Sequence, residues 1–225
     1  MTVDARRRLL RCISLAGACA LTACGLDVIG LGGPPPEIDQ QNPLDGPVVD
    51  QGIGRFSELD GSPDPTGSSY DLQDAQTFVA GADGQLTFVQ VAILNPDGAT
   101  EPVILEIRKV EPDPGTLSYA PVPGDDLSSV LGRVAVPASA IVDVDPADPD
   151  TWPLFDVSVL GIEVVAGATY CFSLLTSDTV GFTVSPEVSL GYPAGAAWRR
   201  NRALDATWTQ VLGADLGFRT WVWSR

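Results

Sequence analysis

The sequence predicts an all-β protein whose body is a two-sheet antiparallel β-sandwich. From about residue 72 onward, apolar residues alternate with polar ones at period two over short runs. Clusters of Gly, Pro and Asp separate these runs, as turns between strands require. No long stretch carries the spacing of an amphipathic helix. Seven or more short strands in about 150 residues bury their apolar faces most economically as two packed sheets, with a closed barrel as the alternative.

Residues 1–23 read as an export leader. Arg6, Arg7, Arg8 and Arg11 precede and border an apolar stretch through Leu9-Leu10, Ile13-Ser14-Leu15 and Ala16-Gly17-Ala18. That stretch is too short for a permanent membrane span. Residues 24–70 are rich in Gly, Pro, Asp and Gln, with Pro34-Pro35-Pro36 stiffening one part, and read as a tether holding a body of residues 71–225. Ile53 and Phe56 offer a short apolar contact between tether and body.

Within the body, Thr87, Val89, Val91 and Ile93 share one face of a strand, and Phe88, Gln90 and Ala92 the other. After the Asn95-Pro96-Asp97-Gly98 turn, Val103, Leu105 and Ile107 alternate with Ile104, Glu106 and Arg108, a half-buried strand. Further strands are expected at Val130–Val136, Leu154–Val159, Thr169–Leu175, Phe182–Leu190 and Phe218–Trp223. Pro186 marks an edge or bulge in one of them, and Asp125–Leu131 fits a single helical turn.

Two resemblances follow from these residues. Leu21-Thr22-Ala23-Cys24 resembles the lipobox of bacterial lipoproteins, in which the cysteine thiol receives a diacylglyceryl group and the chain is cut just before it. The resemblance implies lipidation at Cys24 and an extracytoplasmic protein anchored to the cell membrane or outer membrane. Gly25 stands where an aspartate commonly retains lipoproteins at the inner membrane. The arginine run also resembles a twin-arginine export signal, so the general and twin-arginine routes both stay open. The second resemblance rests on Ala75-Gln76-Thr77-Phe78, Gly84-Gln85-Leu86-Thr87-Phe88-Val89, Leu105-Glu106-Ile107-Arg108, Val134-Ala135-Val136-Pro137, Leu154-Phe155-Asp156-Val157, Val165-Ala166-Gly167-Ala168-Thr169-Tyr170 and Phe218-Arg219-Thr220-Trp221-Val222. In that order they resemble the jelly-roll, carbohydrate-binding-like sandwiches of secreted and cell-surface bacterial proteins. This implies the fold more firmly than it implies sugar binding.

Charge and composition narrow the function. Removing residues 1–23 takes four of 13 basic and one of 29 acidic residues, leaving 9 against 28 and a net charge of −19. Such a surface repels nucleic acid and anionic headgroups, and it also keeps an exported protein soluble. The chain has no histidine, which removes the commonest general base, the serine-protease relay and most zinc chemistry. No spacing nominates a carboxylate pair for glycoside hydrolysis, so the expected class is non-catalytic, with a carboxylate-dependent glycan-active enzyme as the competing one. Of the four cysteines, only Cys171 lies beyond Cys24. It sits in a strand and reads as a structural buried thiol.

Candidate binding residues are Trp198, Trp208, Trp221 and Trp223, whose flat rings can stack on sugars, together with Arg219. In a strand Trp221, Trp223 and Arg219 share one face, opposite Phe218, Thr220 and Val222. The same tryptophans can instead pack a core. Asp143, Asp145, Asp148 and Asp150 form an acidic loop that offers oxygen ligands for calcium, the one cofactor considered, although it lacks the glycine and terminal glutamate of an EF-hand. Arg199-Arg200-Asn201-Arg202 is the basic cluster of the body, available to an acidic group or balanced by neighbours such as Asp205 and Asp215. The partners implied are a membrane through lipidated Cys24 and either a cell-surface glycan or an envelope protein.

Overall fold

The computed structural model describes residues 35–42, 51–56, 70–95, 98–116, 118–177, 182–184, 186–187 and 192–224. Cys24, the leader and residues 25–34 lie outside them. Eight strands organise the body: β1 (Glu37–Asn42), β2 (Tyr70–Val79), β3 (Gly84–Val91), β4 (Val103–Arg108), β5 (Val130–Val136), β6 (Leu154–Asp156), β7 (Thr169–Leu175) and β8 (Phe218–Trp223). Sheet I runs β1-β8-β3-β6, and sheet II contains β2-β7-β4-β5, with all of these neighbours antiparallel. Every step along the chain from β1 to β8 changes sheet except β4 to β5. That order is a jelly roll: an all-β, two-sheet antiparallel sandwich, not the closed barrel.

Parts of the segment expected as a tether, residues 24–70, are strands. Glu37–Asn42 forms β1 at the edge of sheet I, and Gln51–Phe56 pairs with β2 and with Phe182–Val184. A strand made mostly of polar residues, EIDQQN, leaves no apolar alternation to read. It is held by its backbone ladder to β8 and by Asn42 Nδ2 donating to Leu216 O at 2.9 Å. Ile53 is fully buried in the core, as expected of an apolar contact.

Period-two alternation builds the interior. On β8, Phe218, Thr220 and Val222 are buried while Arg219, Trp221 and Trp223 face outward. Phe218 crosses the sandwich to meet Phe172 of β7 at 5.6 Å between ring centroids and Phe78 of β2 at 6.2 Å, and Tyr192 packs edge-on against it at 5.2 Å. Around these rings lie Leu86, Val89, Val91, Leu105, Ile107, Phe155 and Leu174. Rings of this size dominate the energetics of the core they fill.

Three expected strands differ. On β3 the register against β8 slips between Trp221 and Val222, where Val222 faces Leu86 and Trp221 faces Phe88. Thr87 is the extra residue of a bulge, with its Oγ1 donating to Trp221 O at 3.1 Å. Leu86, Val89 and Val91 therefore point inward, where strict alternation would have turned Leu86 out. The strand expected at Leu154–Val159 stops at Asp156, whose Oδ1 accepts from Ser158 N at 3.0 Å and opens a 3₁₀ turn over Ser158–Leu160. Within the single strand expected over Phe182–Leu190, the described residues form Phe182–Val184, paired with Gln51–Phe56, and Pro186–Glu187, paired with Asp215–Leu216; positions 185 and 188–190 lie outside the described residues. Pro186 has no backbone N–H to continue the first ladder.

Sheet II is covered on both sides over β2, β7 and β4. Its inner face joins the core through Val103, Leu105, Ile107, Phe172 and Leu174. Its outer residues Gln73, Glu106, Arg108, Cys171 and Ser173 are also at most 1% exposed. Two hairpins account for this: Val110–Asp113 with Ser118–Pro121, and Ala197–Asn201 with Asp205–Gln210, the latter also paired to β2. On the edge strand β5, Leu131, Arg133 and Ala135 stay exposed. Of the half-buried strand predicted for 103–108, every residue but the part-buried Ile104 is buried.

Gly195 is required by a close approach. A Cβ at Gly195 would stand 1.8 Å from Thr77 O, in a segment where Thr77 N donates to Ala196 O at 3.0 Å. Gly98 has a φ of +70° but open space around it. Gly195→Ala is expected to displace the backbone and cost about 3 kcal/mol or more, while Gly98→Ala costs about 1 kcal/mol for its left-handed φ alone. Thermal melts of the two variants check the ranking; equal shifts would contradict the close approach.

Candidate functional site: a bare aromatic sheet face

With most of sheet II's outer face covered by its own hairpins, the outer face of sheet I is the candidate binding surface among the described residues. Cross-strand register places its side chains in three ranks. One rank runs Gln41, Arg219, Gln90, Leu154; the next Ile38, Trp221, Phe88, Asp156; the third Trp223, Gln85, Glu163. Directly opposed residues in a sheet point to the same side, so each rank is a row on one surface. Ile38 is 48% exposed and Leu154 43%; Trp221, Trp223 and Phe88 are part-buried.

Neighbouring contacts fix this surface. Trp221 meets Phe88 edge-on at 6.5 Å between ring centroids. Gln85 donates from Nε2 to Ser158 O at 2.7 Å, and Gln90 from Nε2 to Trp152 O at 3.1 Å. Arg219 Nη1 reaches Asp150 Oδ1 at 3.0 Å at the rim. Trp223 Nε1 and Gln90 Oε1 have no hydrogen-bond partner. The result is an apolar and aromatic band bordered by amides and, on the β6 side, by carboxylates.

The four candidate tryptophans separate into two pairs. Trp221 and Trp223 stand on the open face with Arg219, as their alternation predicted. Trp198 and Trp208 are buried with Ala75, Cys171 and Ala196, outside sheet II and beneath the hairpins, and offer no ring to a ligand. Arg200 and Arg108 lie over the Trp208 ring at 4.6 and 5.4 Å, so that indole is engaged by cations of its own chain. Phe88 and Ile38 join the face although neither was singled out. Phe88 was readable from its alternation with Gln90. Ile38, a lone apolar residue in a polar segment, carried no signal.

The basic cluster is internal. Arg199 grips Asp74 through Nε and Nη2 at 2.6 and 2.7 Å. Arg200 pairs with Asp125 and Gln73, and Arg202 with Asp125 at 3.2 Å and Asp71 at 3.6 Å. The carboxylates that meet this cluster include Asp71, Asp74 and Asp125; Asp215 accepts from Gln76 Nε2 and Tyr192 N, and the Asp205 side chain lies outside the described residues. Glu106, 1% exposed, accepts from Arg108, Arg133, Gln73 and Ser173. Arg108 also donates to Val122 O at 3.0 Å and to Gly124 O, tying down the loop over sheet II.

The acidic loop does not gather. Asp145 and Asp148 each accept a backbone N–H two residues on, from Ala147 and Asp150, while Asp150 binds Arg219 and Asp143 takes a left-handed φ of 53°. Among the described residues no three acidic or sulfur side chains converge as a cation would require. Cys171 is fully buried, and burial pushes its thiol well above the usual range, a structural cysteine. Among the described carboxyls, those that burial raises are Asp39, against the Gly81 and Ala82 amides, and Asp74, against Arg199; they belong to different sheets and form no catalytic pair.

Burial alone would raise the Glu106 carboxyl, but the Arg108 charge and the hydrogen bonds from Arg133 and Gln73 outweigh it and hold the group below its ordinary value. A folded value depressed below the unfolded one adds stability that is complete at neutral pH and is lost as pH falls through the folded value. Glu106→Gln strands Arg108 in the interior and should cost about 3 kcal/mol at pH 7. Melts from pH 7 to about pH 3 should show the gap to the parent narrowing as the parent's own carboxylate protonates; a gap constant with pH would contradict the assigned charge.

No protein-family model matches the chain, and no curated protein matches it.

Proposed function

We propose that this chain is a lipid-anchored protein of the cell envelope whose jelly-roll body binds glycan, without catalysis, on the outer face of sheet I. The observation that carries the reading is the contrast between the two sheets: the protein's own hairpins cover most of one outer face, and the described strands of the other present Trp221, Trp223 and Phe88 in adjacent ranks. Aromatic rings held side by side on a rigid sheet can stack on the apolar faces of sugar rings, and the amides of Gln41, Gln85 and Gln90 border them with groups able to meet hydroxyls. The glutamines held from below by Ser158 and Trp152 lose little freedom on binding.

The leader and the Leu21-Thr22-Ala23-Cys24 motif supply the anchor in this reading. Two or more acyl chains hold a protein stably, since each buried methylene contributes roughly 0.8 kcal/mol. Ten residues, 25–34, lie between Cys24 and Pro35, a reach of at most about 40 Å when extended. The binding face is thereby kept close to the envelope and its polymers.

Two experiments test the two halves. Replacing Cys24 with Ala should move the protein from the membrane to the soluble fraction and remove the acyl mass from its N-terminus; an unmodified sulfur in the parent protein would end the anchoring proposal. Full-length protein in neutral detergent, screened against cell-wall and exopolysaccharide glycans, should bind a subset, and Trp221→Ala with Trp223→Ala should lose about 2 kcal/mol or more, some thirtyfold in affinity. Glycan binding unchanged in that variant, or absent in the parent while a protein partner cross-links to the face, would overturn the glycan reading.

A further inference from the structure

The charges of the two sheets are segregated, and this assigns a selectivity to the open face. Arg219 is the only basic residue in the strands of sheet I, and it is committed to Asp150. The guanidinium groups of Arg108, Arg133, Arg199, Arg200 and Arg202 all belong to sheet II or its hairpins, paired with Glu106, Asp125, Asp74 or Asp71. On the open face the carboxylates stand at one border. Asp156 is in the same rank as Trp221 and Phe88, and Glu163 in the same rank as Trp223 and Gln85. Asp156 is exposed, with Oδ1 accepting from Ser158 N and Oγ, which fixes the side chain at the margin of the aromatic band.

We infer that this face selects sugar polymers by charge: it rejects acidic chains and favours chains carrying free amines, with Asp156 as the specificity-determining residue. The inference rests on the glycan reading and adds the chemical class of the ligand. A protonated amine lying beside a stacked sugar ring meets two favourable groups at once, the face of an aromatic ring and a carboxylate one strand away. A uronic acid or sulfate in the same position meets like charge, since Arg219, the basic side chain in the described strands of sheet I, is already paired with Asp150. Charge complementarity of this kind sets specificity more than total affinity.

The test uses full-length protein in neutral detergent and three oligosaccharides of equal length: N-acetylglucosamine, its deacetylated glucosamine counterpart, and galacturonate, at a mildly acidic pH where the amines are charged. The amine oligomer is expected to bind about fivefold or more tighter than the acetylated one at low salt, the advantage shrinking at about 0.5 M salt, and galacturonate is expected not to bind. Asp156→Asn keeps the oxygen that accepts from Ser158, and it should bring the amine and acetylated oligomers to equal affinity. Equal binding of the amine and acetylated oligomers by the parent protein, binding of galacturonate, or a preference that survives the substitution would overturn the inference while leaving glycan binding intact. Binding of none of the three, with none on the wider glycan screen, would instead remove the reading on which it rests.

Discussion

The position of β8 between β1 and β3 is the constraint on which the molecule depends. This strand closes sheet I by joining the N-terminal edge to the middle of the sheet, and its alternation does two jobs at once. Phe218 inward links both sheets through Phe172 and Phe78, while Trp221 and Trp223 outward make the aromatic band. A one-residue slip would exchange the two sets, burying Arg219 and both indoles against the core and exposing Phe218 and Val222. Several devices pin the register: the bulge at Thr87, the absence of a Cβ at Gly84 where the Trp223 carbonyl passes, and the ladder from β1 on the other side. Core and candidate site are therefore specified by the same six residues.

The two outer faces have opposite solutions to burial. Sheet II sinks Glu106, Arg108 and Arg200 out of water and satisfies them within a network that also holds down the loop at 122–125. Buried ion pairs of this sort add little net stability over apolar packing, because desolvation offsets their attraction. What the network does physically is fix geometry: Arg108 reads two carbonyls of one loop, and Asp125 is shared by Arg108, Arg200 and Arg202. The hairpins are locked to the sheet by directional contacts, so the tryptophans beneath them are structural. On sheet I, Trp221, Trp223 and Phe88 keep part of their surface exposed.

How much of this could be read in advance follows from which signals are local. The split of β8 into Phe218, Thr220, Val222 and Arg219, Trp221, Trp223 was legible because it needs only period two within one strand. The jelly-roll order was legible through the sequence of short motifs. The burial of Trp198 and Trp208 was not, since it depends on the hairpin of residues 197–210 folding against sheet II, a long-range event with no local signature. β1 escaped because an edge strand held by its ladder needs no apolar alternation. The arginines of 199–202 looked like a surface patch because their partners, Asp71, Asp74 and Asp125, lie some 75 to 130 residues away in the chain. Asp156 was hidden in a strand assigned too long; its capping of Ser158 ends the strand and leaves the carboxylate at the margin of the face.

On the proposed reading, the modest size of the face and the anchor explain each other. Two indoles, one phenyl ring and a border of amides give a shallow contact, and a shallow contact with a flexible polymer pays heavily in lost freedom. A polymer, however, repeats its epitope, and many copies of a protein held in one membrane meet it together. Each further contact is then made at an effective concentration set by tether length, and the combined affinity can exceed the single one by about 10² or more without any new interaction. The net charge of −19 beyond residue 23 acts on the same arrangement: like-charged bodies stay apart on the membrane, which keeps their sheet I faces available instead of pressed against one another. A deep pocket would add affinity to each copy but would bind one stretch of polymer and release the rest. An open sheet face on a short lipid-held tether instead binds weakly along the whole chain.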